Sequence, residues 1–521
     1  MSAPDGIFTY RELTKDRQES VDVCVIGSGA GGATVAKELA AAGKSVLILE
    51  RGGYYSAVPD FDQREDDMIA KIDGGRGATT SEDYTLNLQY GNCVGGATVH
   101  YWADSYRAPD DRLDLWTNKY GVAGHAPGDL APYYDQIERD LHIEPAPPKL
   151  RNRNNLLFKK GLEKTGWHGH AVPQARKNCV SSGYCMQGCT YNAKQSMLIT
   201  YVPAAIAGGA RVFADCEVMG IVTENGRATG VEARVIDRAT LRPSGVAIRV
   251  RAKAVVLAAG GYGSAVVLLR SGIENPSGQI GKNLYVNPCS FVHALFNEDV
   301  VMWRNIPAAW GCMEFRLPRR DGTRYAEGGY LLMPNQLGAS AMAALLPGFG
   351  DDHRALMDRY HQMGGTIAWI DDEWPGEIRL DDEGSARYGF TVRNDDRDKL
   401  IDSMKKGCLV MLAAGAERCL LPDGTLINDE KDLSKIDKLT LAPGTMSFPA
   451  PHPAGACRMG ENPKTSVVNS HNEVHAVKNL FVCDPSVIPT AVSVDPSLTI
   501  LAFSHVAAAW MKSNWDRIEK A

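Results

Sequence analysis

The chain has 521 residues and a formal net charge of −6, a balance that offers no electrostatic footprint for nucleic acid or an anionic membrane. Its hydrophobic fraction of 44% and charged fraction of 23% are ordinary for a globular enzyme, and the length predicts two closely connected domains rather than one core. Apolar runs such as Ala254 to Ala259 and Cys408 to Ala414 fall far short of a bilayer span.

The first twenty residues are polar and mixed in charge. They lack the basic start, apolar middle and small-residue cleavage site of a secretory signal, so a cytoplasmic location is expected. The twelve cysteines then read as reduced thiols or metal ligands rather than a disulfide framework.

Val23 to Ile26 reads as a buried strand. It is followed by Gly27-Ser28-Gly29-Ala30-Gly31-Gly32, a small-residue helix from Ala33 to Ala42, and a second strand from Ser45 to Leu49 that ends in Glu50. Strand, G-x-G-x-x-G turn, helix, strand and acid in this order form a dinucleotide-binding unit. Gly27 allows the turn, Gly29 admits a pyrophosphate close to the backbone, and Gly32 lets helix and strand pack. The helix N-terminus offers N–H groups and partial positive charge to phosphate. Glu50 stands where a carboxylate accepts ribose hydroxyls.

From Gly52 to Val99 the chain is Gly-rich without sustained helical periodicity, and an extended cofactor cover is expected. Helical spacing returns at Asp129 to His142 and at Asn155 to Thr165. Arg211 to Val235 alternates around Glu224-Asn225-Gly226-Arg227, a hairpin signal. Val246 to Leu257 reads as a strand running into Ala258-Ala259-Gly260-Gly261 and a helix from Ser264 to Arg270. This is a second strand–glycine–helix junction of the type found along a cofactor. The block from Val300 to Leu420, with Trp303, Trp310, Trp369 and Trp374, predicts antiparallel sheet plus helices and a substrate domain. Within it, Asn394 to Glu417 reads as one helix with Asn394 as its N-cap. A final strand at Leu480 to Val482 and a helix near Leu498 to Trp515 make the nucleotide domain discontinuous.

Three further segments carry a family resemblance: Gly91 to Trp102 (GNCVGGATVHYW), Val255 to Gly260, and a C-terminal block. The block comprises His452-Pro453-Ala454-Gly455, then Asn479 to Thr490, then Asp495-Pro496-Ser497-Leu498. In this order and spacing the chain resembles the glucose–methanol–choline (GMC) oxidoreductases over nearly its whole length. The resemblance implies FAD. It assigns the cofactor to Gly27, Gly29, Ala30, Gly32, Glu50, Arg51, Gly91, Val94, Gly95, Gly96, Thr98, His100, Val218, Ala259, Asp484 and Pro496. Val218 would lie near the adenine, Gly95 and Gly96 against the flavin ring, and Asp484 near the ribityl chain.

The same resemblance implies oxidation of a CH–OH group, with hydride passing to flavin N5 and His452 as the base. An imidazole with an unperturbed pKa near ~6.5 suits that task. Where the family usually carries Asn or His before a proline-containing turn, this chain has Asp495-Pro496. Asp495 is therefore expected to accept a substrate proton, raise the His452 pKa or orient the imidazole. His100 occupies a position that bears a flavin bond in some relatives and none in others.

Cys179, Cys185 and Cys189 form a C-x5-C-x3-C run. It resembles the run of bacterial FAD-dependent glucose dehydrogenases, where three cysteines hold a [3Fe-4S] cluster, and a Cys-rich segment of long-chain alcohol oxidases, where no cluster is implied. Iron–sulfur ligation, a zinc site completed by His168 and His170, and plain thiols all stand as readings.

The expectation is thus an α/β protein. A Rossmann-like FAD domain (15–115, 190–299 and 436–521) would join a discontinuous sheet-plus-helices substrate domain (116–189 and 300–435). The enzyme would be an FAD-dependent alcohol dehydrogenase or oxidase acting on a lipophilic alcohol; the alternative is a sugar or glycoside dehydrogenase that passes electrons from a cluster to a partner. The first acceptor would be reoxidised by oxygen, a quinone or a protein.

Overall fold

The computed structural model describes residues 3–75 and 79–520. Two sheets carry the fold. In chain order their strands are β1 (Ile7–Phe8), β2 (Arg17–Ile26), β3 (Val46–Leu49), β4 (Arg211–Phe213), β5 (Cys216–Glu224), β6 (Arg227–Asp237), β7 (Arg242–Leu257), β8 (Cys289–Leu295), β9 (Tyr330–Pro334), β10 (Met363–Ile370), β11 (Arg418–Leu420), β12 (Leu426–Ile427) and β13 (Leu480–Val482).

The first sheet has eight strands in the order β1-β4-β3-β2-β7-β6-β5, with β13 paired to the end of β7. Its centre is parallel: β2 runs beside β3 on one side and beside β7 on the other. A parallel centre must be covered on both faces, which is why VCVI, VLIL and AVVL are continuous apolar runs rather than alternating ones. Residues 480–482, from the far end of the chain, add in parallel to Val255–Leu257. This sheet is therefore complete only when both ends of the polypeptide are present.

Helix α1 (Ala30–Ala41) follows the glycine turn and packs on the C-terminal helix Ser497–Ser513. Close packing is built into its small residues: a Cβ on Gly31 would sit 1.7 Å from the Cys483 carbonyl oxygen, and one on Gly32 would sit 2.1 Å from that of Gly27.

The second sheet has five strands in the order β9-β10-β8-β11-β12. β8 pairs antiparallel with both β10 and β11. Both β8 and β10 are buried at every residue. The helix Asp395–Ala414 covers these strands and packs on the helix Arg153–Thr165.

Most expected elements form where the sequence places them, with local differences. A helix occupies Glu65–Ile72 inside the segment expected to be extended; its acidic first turn suits the helix dipole, and only Met68 and Ile72 are buried, too little apolar periodicity to read. Asn394 holds the N-cap position, but at φ 50 its side chain makes no cap bond. Three acidic residues in the first turn, Asp395, Asp396 and Asp398, stabilise that end instead. Among the described residues no helix is long and apolar enough to cross a membrane.

Candidate active site and cofactor cradle

The turn after β2 is a set of backbones brought almost into contact. Gly27 has φ +99, and a Cβ there would lie 2.2 Å from the Ala258 carbonyl oxygen of the second glycine junction. Gly96, at φ +57, would place a Cβ 2.7 Å from the Gly29 Cα. Gly29 differs: nothing lies nearer to its would-be Cβ than the Gly96 Cα at 3.8 Å. The glycine that a pyrophosphate must approach is the one the protein itself leaves open. Ala30 opens α1, whose first turn holds no acidic side chain, so its partial positive charge is not cancelled.

Glu50 directly follows β3 and is buried. Its Oε2 accepts from the Ser28 N–H (3.0 Å) and hydroxyl (2.7 Å), and its Oε1 from the Gly52 N–H (2.8 Å). Burial raises its pKa, and these donors offset part of that rise. The Ser28 hydroxyl in turn accepts from the Gly95 N–H at 2.9 Å, tying the first turn to the 91–100 loop. That loop is fixed at several points. Arg51 Nε donates to Asn92 Oδ1 (2.8 Å), and the Val94 N–H to the Gly53 carbonyl (2.9 Å). Gly91 lies where a Cβ would meet the Ala97 nitrogen at 2.2 Å. Thr98 Oγ1 donates to the Gly95 carbonyl and accepts from the Met197 N–H. His100 closes the short helix Gly96–Val99. Its Nε2 is buried without a partner, and burial, then the Lys194 charge, lowers its pKa to about 4. Val218 sits on β5, two residues beyond Cys216, whose N–H bonds the Glu50 carbonyl.

At the second junction the Ala259 N–H donates to Ser264 Oγ (3.1 Å) and the Gly260 N–H to Asp484 Oδ2 (3.0 Å). Asp484 Oδ2 also accepts from the Ser264 hydroxyl, and its Oδ1 from the Ser486 N–H and hydroxyl. Ser28, Ser264 and Ser486 were not read as site residues from sequence. Only their positions beside motif glycines and Asp484 could have marked them.

His452 follows the strand Phe448–Ala450, which the Tyr262 hydroxyl holds by its bond to the Ala450 carbonyl (2.7 Å). Gly455 has φ +83, and a Cβ there would meet the Asn283 carbonyl oxygen at 2.1 Å. The glycine of the His-Pro-x-Gly block therefore lets this turn press against its neighbour. His452 Nε2 lies 3.5 Å from Asp495 Oδ1. Pro496 is the N-cap residue of the helix Ser497–Ser513, so Asp495 stands directly before that helix. Trp369, from β10, tilts over the imidazole with ring centroids 4.9 Å apart. Burial lowers the His452 pKa to about 3 and raises that of Asp495 to about 7.

Two groups near this pair were not placed beside it by the sequence. Asp104, in the YWADS run after the glycine loop, is buried. Its Oδ1 accepts from Gln174 Nε2 (2.6 Å) while its Oδ2 has no partner. Burial and the nearby Asp495 charge raise its pKa well above the usual carboxylate range. Trp369 reaches the site from a distant strand, through tertiary pairing that no local motif records.

The Cys-rich loop departs from the metal readings. Among the described residues no group of three or more His, Cys, Asp or Glu is arranged to hold a metal ion. Each sulfur instead lies near an N–H donor: Ser181 N to Cys179 (3.5 Å), Arg176 Nη1 to Cys185 (3.2 Å) and Lys194 N to Cys189 (3.4 Å). The zinc reading fails because His170 Nε2 is bound to the Tyr106 hydroxyl at 2.8 Å and His168 is almost wholly exposed beside Glu314. The buried Lys194 ammonium donates to the carbonyls of Val99 (2.6 Å), Tyr101 (3.0 Å) and Cys185. It clamps the Cys-rich loop to the His100 loop.

A parallel sheet with two glycine junctions, a ribose-type carboxylate and a buried His–Asp pair facing an aromatic ring defines a dinucleotide-binding oxidoreductase. GMC oxidoreductase family models match residues 47–289 and 373–504. An uncharacterised GMC-type oxidoreductase of Sinorhizobium fredii is 30% identical over 98% of both chains. A long-chain-alcohol oxidase of Arabidopsis thaliana is 24% identical over 93% of this chain and 67% of its own length. The crystal structure of pyridoxine 4-oxidase from "Mesorbium loti" superposes with a TM-score of 0.71 at 16% identity, covering 94% of this chain and 98% of that one. The chain belongs to the GMC oxidoreductase family and is a flavoprotein oxidoreductase.

Proposed function

We propose that this protein oxidises the CH–OH group of an alcohol, with FAD held between the two ends of the chain. The observation that carries the reading is the His452–Asp495 pair at 3.5 Å under Trp369. The cradle fits the cofactor: Gly29 is open, Glu50 and Asp484 are buried acceptors, and His100 Nε2 is an orphaned polar atom. Glu50 would hold the ribose, Gly29 and Ala30 the pyrophosphate, and Gly95, Gly96 and His100 the flavin side. Bound FAD supplies the acceptor for the hydride that leaves the alcohol carbon.

Burial keeps the His452 imidazole neutral at working pH, so it accepts the hydroxyl proton rather than arriving already charged. The resulting imidazolium is unstable in a buried site unless a negative charge lies close. Asp495 provides that charge once its carboxyl has ionised. The family's usual neutral group at this position is thereby replaced by a switchable anion. Trp369 and Trp102, with ring centroids 6.1 Å apart, give the imidazole an aromatic flank.

A lipophilic alcohol is the substrate favoured by these aromatic surfaces and by the long-chain-alcohol oxidase relative. The domain partition at 15–115, 190–299 and 436–521 against 116–189 and 300–435 belongs to the same proposal. In His452→Ala, FAD content should be unchanged while anaerobic flavin reduction by alcohol slows by about 10²–10⁴-fold. Unchanged reduction kinetics would remove His452 from the reaction.

A further inference from the structure

The Cys-rich loop does more than gather thiols, because residues 183–187 wall a cavity of about 330 Å³. Trp102 belongs to the same wall and also touches Trp369, which covers His452. The cavity therefore begins two ring contacts from the imidazole. Its lining also includes Trp303 stacked on Tyr360, centroids 4.3 Å apart.

Gln187 lines this cavity and is only 6% exposed, yet among the described residues its side-chain amide makes no hydrogen bond. Most other polar groups of the wall are engaged: Glu65 accepts from the Ser340 and Ala341 N–H groups, and the Tyr360 hydroxyl donates to the Leu337 carbonyl. Gln336 donates through Nε2 to the Arg304 and Asn305 carbonyls, while its Oε1 is a second amide atom of this wall without a partner. With no partner in the protein, the Gln187 amide is available to bond whatever polar group enters the cavity.

We infer that this cavity receives the distal end of the substrate and that Gln187 selects a second hydroxyl there. An amide offers both donors and an acceptor, as a hydroxyl does, and the pair satisfies both groups. The aromatic faces cover the intervening C–H chain. The substrate is then an elongated diol or polyol rather than a purely apolar alcohol. This inference rests on the placement of the reacting CH–OH at His452.

The test compares octanol with α,ω-octanediol on FAD-loaded protein, by calorimetric titration and by anaerobic flavin reduction in the same samples. The diol should bind about five- to ten-fold more tightly, the effect of one added hydrogen bond to a buried group. Gln187→Met should bring that ratio close to one while its thermal midpoint stays level or rises, the opposite of what a structural glutamine would give. Gln187→Leu provides the same reading if the thioether finds a sulfur partner of its own. Equal binding of the two alcohols, no binding of either, or a diol preference retained in both variants would overturn the inference. A Gln187-dependent diol preference without flavin reduction would leave the subsite standing and refute the proposed oxidation.

Discussion

The two ends of the cofactor cradle treat buried carboxylates in opposite ways. On the nucleotide side, Glu50 and Asp484 are wrapped in N–H and hydroxyl donors from Ser28, Gly52, Gly260, Ser264 and Ser486. On the reaction side, Asp104 Oδ2, Asp495 Oδ2 and His452 Nδ1 are buried with no partner. Hydrogen bonding pre-pays orientation where a ligand is only held. Where protons move, unmet polar atoms keep the groups poised at the expense of stability. Under the proposed function, the first region is a scaffold and the second the reaction site.

That contrast can be broken at its scaffold end. Gly29→Val should leave the fold intact, since the nearest backbone atom stands 3.8 Å from its would-be Cβ. It should still weaken FAD retention by about 10²-fold, because the side chain fills the space the pyrophosphate needs. Gel filtration of FAD-loaded protein, with circular dichroism as the fold check, measures both. A folded variant that keeps its flavin would detach Gly29 from the cofactor.

At the reaction end, Asp495 ionises near pH 7, so the rate of flavin reduction should climb as pH rises through about 7. Asp495→Asn should flatten that step and lower the plateau by about ten-fold, the worth of one nearby charge. Stability should move the other way. The folded carboxyl has its pKa raised above the unfolded value of about 3.9, so the folded state binds more protons and loses stability as pH rises between the two values. The Asn variant should therefore melt higher than the native protein at pH 8. A preserved pH step would assign the ionisation elsewhere, Asp104 being the neighbour to examine.

The smallest effect sharpens the comparison from between the two regions. Lys194→Met leaves the carbonyls of Val99, Tyr101 and Cys185 without their shared donor. It should cost about 3 kcal/mol in denaturant unfolding and change the reduction rate several-fold or less. A stable variant with a collapsed rate would make Lys194 part of the chemistry instead of a clamp.

What the sequence disclosed follows the same division. Local geometry was legible: Gly27, Gly32 and Glu50 sit in one contiguous unit that forms the expected strand, turn, helix and strand, and His452 and Asp484 sit in short motifs. Contacts made by long-range pairing were not. Trp369 reaches His452 only because β10 pairs with β8, and Asp104 meets Asp495 only through the packed C-terminal segment. The cysteine spacing was legible as a pattern but did not choose among cluster, zinc and plain thiols. That choice turns on neighbours such as Arg176 and Lys194, whose placement beside the sulfurs no spacing reveals.

The most direct test is anaerobic mixing of FAD-loaded protein with an excess of alcohol while the visible spectrum is recorded and the product is counted. The account predicts complete loss of oxidised-flavin absorbance and one equivalent of aldehyde or ketone per chain. Flavin that stays oxidised against a panel of lipophilic alcohols, diols and sugars, or product formed without flavin bleaching, would contradict it.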